Sequence, residues 1–395
     1  MDAYFDKKKI LINFKRLIRN HVKKSVIAAL LLFLACGFPA RSETIPGADG
    51  RITYIGRTAT DGGDVSFDWT GVYMKVRFQG SSLSINMSDT KKDYYNVWLD
   101  KEMDEVPDKV LAFHGSDTTV ILFSAAELKS RFGKDRKAAG APHQVILQKR
   151  TEGEQGTTIV HGFTTDGSFL QADRPRDRII EYIGDSYTCG YGTEASNKER
   201  FSPETENQNL TYACETARYF DADQIVIAHS GMGIARNYNS NVAGWYMPER
   251  YLQTFDKVRE ADWDAKSSSL KPDITVIYLG TNDFSTRMQP AERIFIQNYI
   301  LLLKEIKEFY GDGHPILCMA SKHDVLLGTY ILKAIETSGL TDVHFLGLSH
   351  SVHNETTDMG ADGHPNYPGH TKIAYAVIPC VSTITGWEMS ANTIK

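Results

Sequence analysis

Gly184-Asp185-Ser186 stands where the apolar run Ile179-Ile180-Glu181-Tyr182-Ile183 passes into the glycine-punctuated stretch Tyr187-Thr188-Cys189-Gly190-Tyr191-Gly192. A serine hydroxyl is a poor nucleophile until a base takes its proton, and a sharp strand-to-helix turn is needed to lift it clear of a sheet edge. Glycine permits the backbone angles and close approach of such a turn. The tripeptide alone fits an ordinary turn equally well. Three further segments supply other parts of acyl transfer. Ser230-Gly231-Met232-Gly233 closes the apolar run 225–228, where a Gly231 N–H can serve as an oxyanion donor, and Gly280-Thr281-Asn282-Asp283 closes the run 274–279, where the Asn282 side chain offers another. Asp362-Gly363-His364-Pro365 brings an imidazole with a carboxylate beside it. Singly these read as a turn glycine, a helix N-cap and a loop histidine. Together they place a nucleophile, a base and donors at the carboxyl ends of strands, where open parallel sheets keep their sites.

The elements that must position them follow from periodicity. After Pro175, short buried apolar runs alternate with amphipathic stretches at 209–220, 290–310 and 326–337, the second with proline in its first turn and ending before Gly311. Five such strands with intervening helices imply a parallel sheet, assigned to residues 176–395. Asp312-Gly313-His314-Pro315 repeats the histidine motif but precedes the run 316–320, at the amino end of a strand. That is the wrong edge, so His364 is the better base. From 46 to 172 the chain alternates with period two, as in Val72, Met74, Val76 and Phe78 against Tyr73, Lys75, Arg77 and Gln79, with turns at Gly62-Gly63 and Gly80-Ser81 and no long helical pattern. That is an all-β, sandwich-like domain, with the boundary in the polar link 171–177.

Residues 1–40 stand apart. Eight lysines and arginines precede the apolar run from Val26 to Ala35, which is the layout of an export signal and too short for a comfortable membrane span. Leu34-Ala35-Cys36 faintly resembles a bacterial lipobox, so soluble export and a lipid anchor at Cys36 both stay open. Without this segment the formal charge moves from −5 to −11, which argues against nucleic acid as a partner. Cys189 and Cys214 are the plausible disulfide pair, Cys318 reads as a buried strand residue, and no Cys/His spacing reads as a zinc site. No metal or other cofactor is expected.

The four motifs resemble the blocks of the SGNH (GDSL-type) hydrolases. The strings Gly184-Asp185-Ser186-Tyr187-Thr188-Cys189-Gly190-Tyr191-Gly192, Ser230-Gly231-Met232-Gly233-Ile234-Ala235-Arg236-Asn237-Tyr238 and Met247-Pro248-Glu249-Arg250-Tyr251 are similar to carbohydrate esterase family two. Upstream, Arg51-Ile52-Thr53-Tyr54-Ile55-Gly56-Arg57 and Gln148-Lys149-Arg150-Thr151-Glu152 extend the likeness. The resemblance implies a jelly-roll-like β-sandwich followed by an α/β/α hydrolase domain that removes O-acetyl groups from plant-type polysaccharides or their fragments. It implies Ser186 as nucleophile, His364 as base, and the Ser186 and Gly231 amides with the Asn282 side chain as oxyanion hole.

The chain departs from the wider pattern in two places. The position three before the histidine is Ala361, so the imidazole is oriented by Asp362, by a backbone carbonyl or by Asp358. Gly363 stands where some family members carry tryptophan, which leaves sugar contact to other aromatics, with Trp245 and Tyr246 the candidates; Trp69 and Trp98 lie in strand patterns that favour core packing. The rival readings are a lipid or thioester hydrolase with the same machinery and a non-catalytic carbohydrate-binding protein.

Overall fold

The computed structural model describes residues 42–134, 140–240, 242, 244–322 and 325–389. The leader and Cys36 lie outside the described residues.

Among the described residues, ten strands build the N-terminal β domain: β1 (Glu43–Pro46), β2 (Thr53–Ile55), β3 (Ala59–Asp61), β4 (Asp64–Phe67), β5 (Tyr73–Gln79), β6 (Leu83–Leu99), β7 (Lys109–Phe123), β8 (His143–Lys149), β9 (Thr158–Thr165) and β10 (Ser168–Leu170). All are antiparallel and belong to one hydrogen-bonded sheet in the order β10-β5-β8-β6-β9-β4-β3, with β1 on β9, β2 on β5 and β7 on β6. The sheet curls at β6. Its first half, Leu83 to Asp89, pairs with β9 and its second, Tyr95 to Leu99, with β8, and register shifts separate the two. Such bulges bend a strand and raise its twist. The first half alternates buried with half-buried residues, whereas the second is buried throughout, because both of its faces are covered there. Trp69 and Trp98 are fully buried core residues. One short helix escapes the period-two reading: α1 (Ala125–Phe132) is started by a capping box in which Ser124 and Glu127 satisfy each other's backbone N–H.

The C-terminal domain is a five-stranded parallel sheet in the order β12-β11-β13-β14-β15, built from β11 (Ile179–Gly184), β12 (Asp223–Ala228), β13 (Ile274–Tyr278), β14 (Ile316–Ala320) and β15 (Val343–Gly347). Its remaining helices are α2 (Ser186–Cys189), α3 (Tyr212–Tyr219), α4 (Met247–Tyr251), α5 (Glu292–Tyr310), α6 (Val325–Ser338) and α7 (Tyr367–Thr385). α3 and α7 close one face over Tyr182, Val276 and Leu317; α5 and α6 close the other over Ile183, Ile277 and Cys318. α5 buries Phe295, Tyr299, Leu302, Leu303 and Ile306, a single stripe of helical period, and stops at Gly311 (φ 99°). Its first residue is Glu292 with Ala291 as N-cap, so Pro290 precedes the helix rather than starting its first turn. Among the described residues no helix is long and apolar enough to cross a membrane.

The larger apolar core runs from the curled sheet into the α5 and α6 face of the parallel one without a break. Polar groups cross the same boundary. Tyr73 hydrogen-bonds Asp223, and Arg57 donates to the Gln253 carbonyl at 2.9 Å and faces Glu181 at 3.5 Å. This second layer explains why Tyr73 and Lys75, on the polar side of the β5 alternation, are buried.

Cys189 and Cys214, the plausible pair, form no disulfide. Both cysteines are free, with Cys189 Sγ 3.6 Å from Glu152 Oε2 and Cys214 Sγ 3.2 Å from Gln208 Oε1. Their neighbours in sequence sit in different helices that aim the two thiols at different partners. Cys318 is buried in β14.

Candidate active site

β11 ends at Gly184, where any Cβ would fall 1.9 Å from Thr188 Oγ1, so the chain turns into α2 only because that position is glycine. Asp185 caps α2 by accepting from the Tyr187 N–H at 3.2 Å, and Gly190 ends it in the left-handed region (φ 84°). Ser186 thereby stands on the first residue of a one-turn helix at the carboxyl end of a central strand. From the far end of the chain, a single 3-10 turn, Ala361–Gly363, delivers His364 just before α7. Nε2 of His364 lies 2.8 Å from Ser186 Oγ, which is hydrogen-bond distance.

Packing fixes the imidazole. Its ring lies 4.1 Å from the Tyr191 ring, which stacks at 4.0 Å on Phe201, and Tyr187 meets it edge-on at 5.4 Å. Gly192 (φ 61°) lets this loop close on the histidine turn, since a Cβ there would sit 2.4 Å from Ala361 Cβ. Burial holds the His364 imidazole below its ordinary value, opposed by the Ala361 and Asp362 carbonyls and the Asp362 charge.

Asp362 does not orient this ring. Its backbone is left-handed (φ 49°), and its carboxylate is turned to Arg200 Nη1 at 2.8 Å, Phe201 N at 3.0 Å and Tyr191 Oη at 3.2 Å. Asp358 is also engaged elsewhere, by Lys372 Nζ at 2.5 Å and Asn354 N at 2.5 Å. Nδ1 of His364 is buried and has no hydrogen-bond partner among the described residues, while the Ala361 and Asp362 carbonyls favour the protonated ring. Of the three orienters open from sequence, both carboxylates are engaged elsewhere, which leaves the backbone carbonyls as the candidates.

The three expected oxyanion donors converge on the same cleft. Ser186 and Gly231 both line it, and neither N–H gives a hydrogen bond to any described residue. Gly231 holds φ 79°, a conformation that favours glycine, and its carbonyl accepts from Tyr238 N at 2.8 Å. Asn282 differs: its Nδ2 donates to Asp185 Oδ2 at 3.0 Å and to the Met232 carbonyl at 2.8 Å. Two acceptors leave only Nδ2 able to face them, so a substrate oxygen would have to share these hydrogens. Asp283 next to it accepts from the N–H groups of Ile234, Ala235 and Arg236, which ties the Gly231 and Asn282 segments together.

The cleft encloses about 960 Å³ and its walls carry Tyr187, Tyr191, Tyr238, Phe284 and Arg200. Trp245 and Tyr246 do not line it. Trp245 is covered by the guanidinium groups of Arg250 (4.1 Å) and Arg259 (5.0 Å), and the Tyr246 hydroxyl accepts from Gly244 N. Tyr191 and Tyr238 belong to the motif strings around Ser186 and Gly231 and Phe284 directly follows the Asn282 motif, and that adjacency was the available signal; Arg200 had none. His314 lies at the opposite end of the strands, bonded to Thr275 Oγ1 at 2.8 Å.

Among the described residues, Glu152, Cys189 and Glu206 bring potential metal-ligating atoms within 4.8 Å of one another. Burial drives the Cys189 thiol and the Glu206 carboxyl well above their ordinary values, so a metal would have to displace both protons.

Residues 54–173 match the family model "Carbohydrate esterase 2 N-terminal", and residues 182–372 match "GDSL-like Lipase/Acylhydrolase family". The chain is 31% identical over 333 residues to the cellulase/esterase CelE of Acetivibrio thermocellus, covering 81% of this chain and 38% of that much longer protein. It is 28% identical over 353 residues to an acetylxylan esterase / glucomannan deacetylase of Cellvibrio japonicus, covering 85% of this chain and 92% of the relative. A solved family two carbohydrate esterase from Clostridium thermocellum, in complex with cellohexaose, superposes with a TM-score of 0.75 at 29% identity over 85% of this chain and 100% of that one.

Proposed function

Since the chain belongs to the family two carbohydrate esterases, we propose that it is a serine esterase that removes O-acetyl groups from polysaccharides or oligosaccharides. The observation that carries this reading is the 2.8 Å contact between His364 Nε2 and Ser186 Oγ beside two unspent N–H donors. His364, held neutral by burial, takes the Ser186 proton as Oγ attacks the acetyl carbonyl. Charge then develops on the former carbonyl oxygen, where the Ser186 and Gly231 N–H groups and the Asn282 amide stabilise it. His364 returns the proton to the departing sugar oxygen. A water, deprotonated by the same imidazole, releases acetate from Ser186 and restores the hydroxyl.

The aromatic walls of Tyr191, Tyr238 and Phe284 suit a sugar ring, and the names of the relatives point to acetylated xylan and glucomannan as substrates. The basic and apolar leader before residue 41 supports export, in soluble or Cys36-anchored form. Acetate release from acetylated xylan, glucomannan and free acetyl sugars tests the proposal, with Ser186→Ala as control. Loss of about 10⁶ in turnover is expected for the variant, and an octanoyl ester hydrolysed as well as an acetyl ester would transfer the site to the lipid and thioester hydrolases.

A further inference from the structure

An acceptor for the loop that carries Gly231 comes from the other domain. Glu152 follows β8 of the curled sheet and is buried to 2% exposure. Its Oε2 accepts from the Ser230 N–H at 2.6 Å and lies 3.6 Å from Cys189 Sγ. Ser230 immediately precedes the Gly231 donor, and Cys189 ends the one-turn helix that begins at Ser186. One oxygen therefore holds the Ser230 backbone and contacts the Cys189 side chain, one residue before the Gly231 donor and three residues after the Ser186 donor. The preceding residue is anchored as well: His229 Nδ1 lies 2.6 Å from Asp256 Oδ2 and 3.9 Å from Glu152 Oε2. Gly153 seats the Glu152 turn against Asp256, since a Cβ there would lie 2.5 Å from Asp256 Oδ2.

We infer that Glu152 is a positioning residue for the oxyanion hole, so that the N-terminal domain completes the catalytic site rather than merely accompanying it. The inference rests on the esterase reading. An N–H that stabilises a developing oxyanion must be aimed before the reaction, and a donor displaced by a fraction of an ångström loses most of its worth. Ser230 N–H held by a buried carboxyl oxygen fixes the peptide next to Gly231.

The test compares the full chain with E152A, E152Q and E152D on 4-nitrophenyl acetate, with turnover counted per Ser186 titrated by a fluorophosphonate. E152A should lower kcat about 10- to 100-fold while KM stays within about 3-fold. E152Q keeps an oxygen that can accept from Ser230 N and should stay within about 3-fold of wild type. E152D withdraws the oxygen by one methylene and should reproduce most of the kcat loss, which keeps the test alive if E152A does not fold. Wild-type kcat per titrated site in E152A or E152D, or equal losses in E152A and E152Q, would overturn the inference. A wild-type chain that neither labels at Ser186 nor hydrolyses the ester would overturn the esterase reading itself.

Discussion

Asn282 and Asp185 join the ends of adjacent strands, with Nδ2 of the first donating to Oδ2 of the second at 3.0 Å and to the Met232 carbonyl at 2.8 Å. The asparagine is thus a brace as well as a candidate oxyanion donor, and removing it leaves Asp185 buried without one of its partners. Asn282→Ala should lower kcat by about 10²-fold, the low end for an oxyanion donor because its hydrogens are shared. It should also cost about 1–3 kcal/mol of stability. Steady-state kinetics alongside thermal melts separates the two effects; an unchanged kcat with a lowered Tm would leave Asn282 as brace alone.

The serine, glycine and asparagine motifs were legible because each closes an apolar run, and a strand's carboxyl end is the place in such a sheet where side chains from distant sequence meet. Side-chain direction was not. Asp362 sits two residues from His364 in sequence, yet a left-handed backbone turns its carboxylate to Arg200, which lies in a loop with no periodicity to announce it. Trp245 carried the right chemistry for a sugar but is taken by two arginines, one of them eight residues beyond the MPERY motif's end. Glu152 belonged to a recognisable string, but its role depends on the docking of two domains, which local pattern cannot express. The curl of the β domain was similarly hidden, since period two reports which face is buried and not which partner a strand changes to halfway along.

The acidic limb of activity should fall below the ordinary histidine range. Burial lowers the His364 value from 6.5, so the neutral base is populated at lower pH than for a solvated imidazole. Activity therefore rises as pH rises through that lowered value and reaches its plateau by neutrality. Measuring kcat/KM between about pH 4 and 8 checks the sign; a midpoint above 6.5 would mean that a carboxylate stabilises the imidazolium after all.

Replacement of Asp362 distinguishes a carbonyl orienter from a carboxylate one. Asparagine tolerates the left-handed conformation and can still accept from Phe201 N and Tyr191, and Arg200 is too exposed for its ion pair to matter much. Asp362→Asn should keep kcat within about 10-fold of wild type, whereas loss of a triad carboxylate costs about 10⁴. Asp362→Ala loses all three contacts and adds backbone strain, so it should be the more damaging of the two.

The cysteines should behave as buried thiols. Burial pushes Cys214 up to about 11, Cys318 up to about 12 and Cys189 well above its ordinary value, while Cys380 is only half-buried. At neutral pH an aromatic disulfide reagent should reach Cys380 alone among these four, and the others only after denaturation. A reductant should leave Tm unchanged; a drop would restore the Cys189–Cys214 bridge.

The two domains should melt together. Arg57 reaches from the N-terminal domain to the Tyr251 and Gln253 carbonyls and to Glu181, which also accepts from Tyr251 Oη (3.0 Å), Thr275 Oγ1 (3.0 Å) and Tyr310 Oη (2.9 Å). Both side chains of the ion pair are essentially inaccessible to water, so Arg57→Ala strands a buried carboxylate and should cost about 3–5 kcal/mol. Arg57→Ala with Glu181→Gln removes both charges and should recover part of that loss, because the remaining hydroxyl donors can still bond an amide oxygen. Calorimetry should find one transition in the wild type, shifted down in the single variant and partly back in the double. Two separated wild-type transitions would mean that the continuous apolar core does not couple the domains, and that the catalytic sheet can stand without the carboxylate that braces its oxyanion loop.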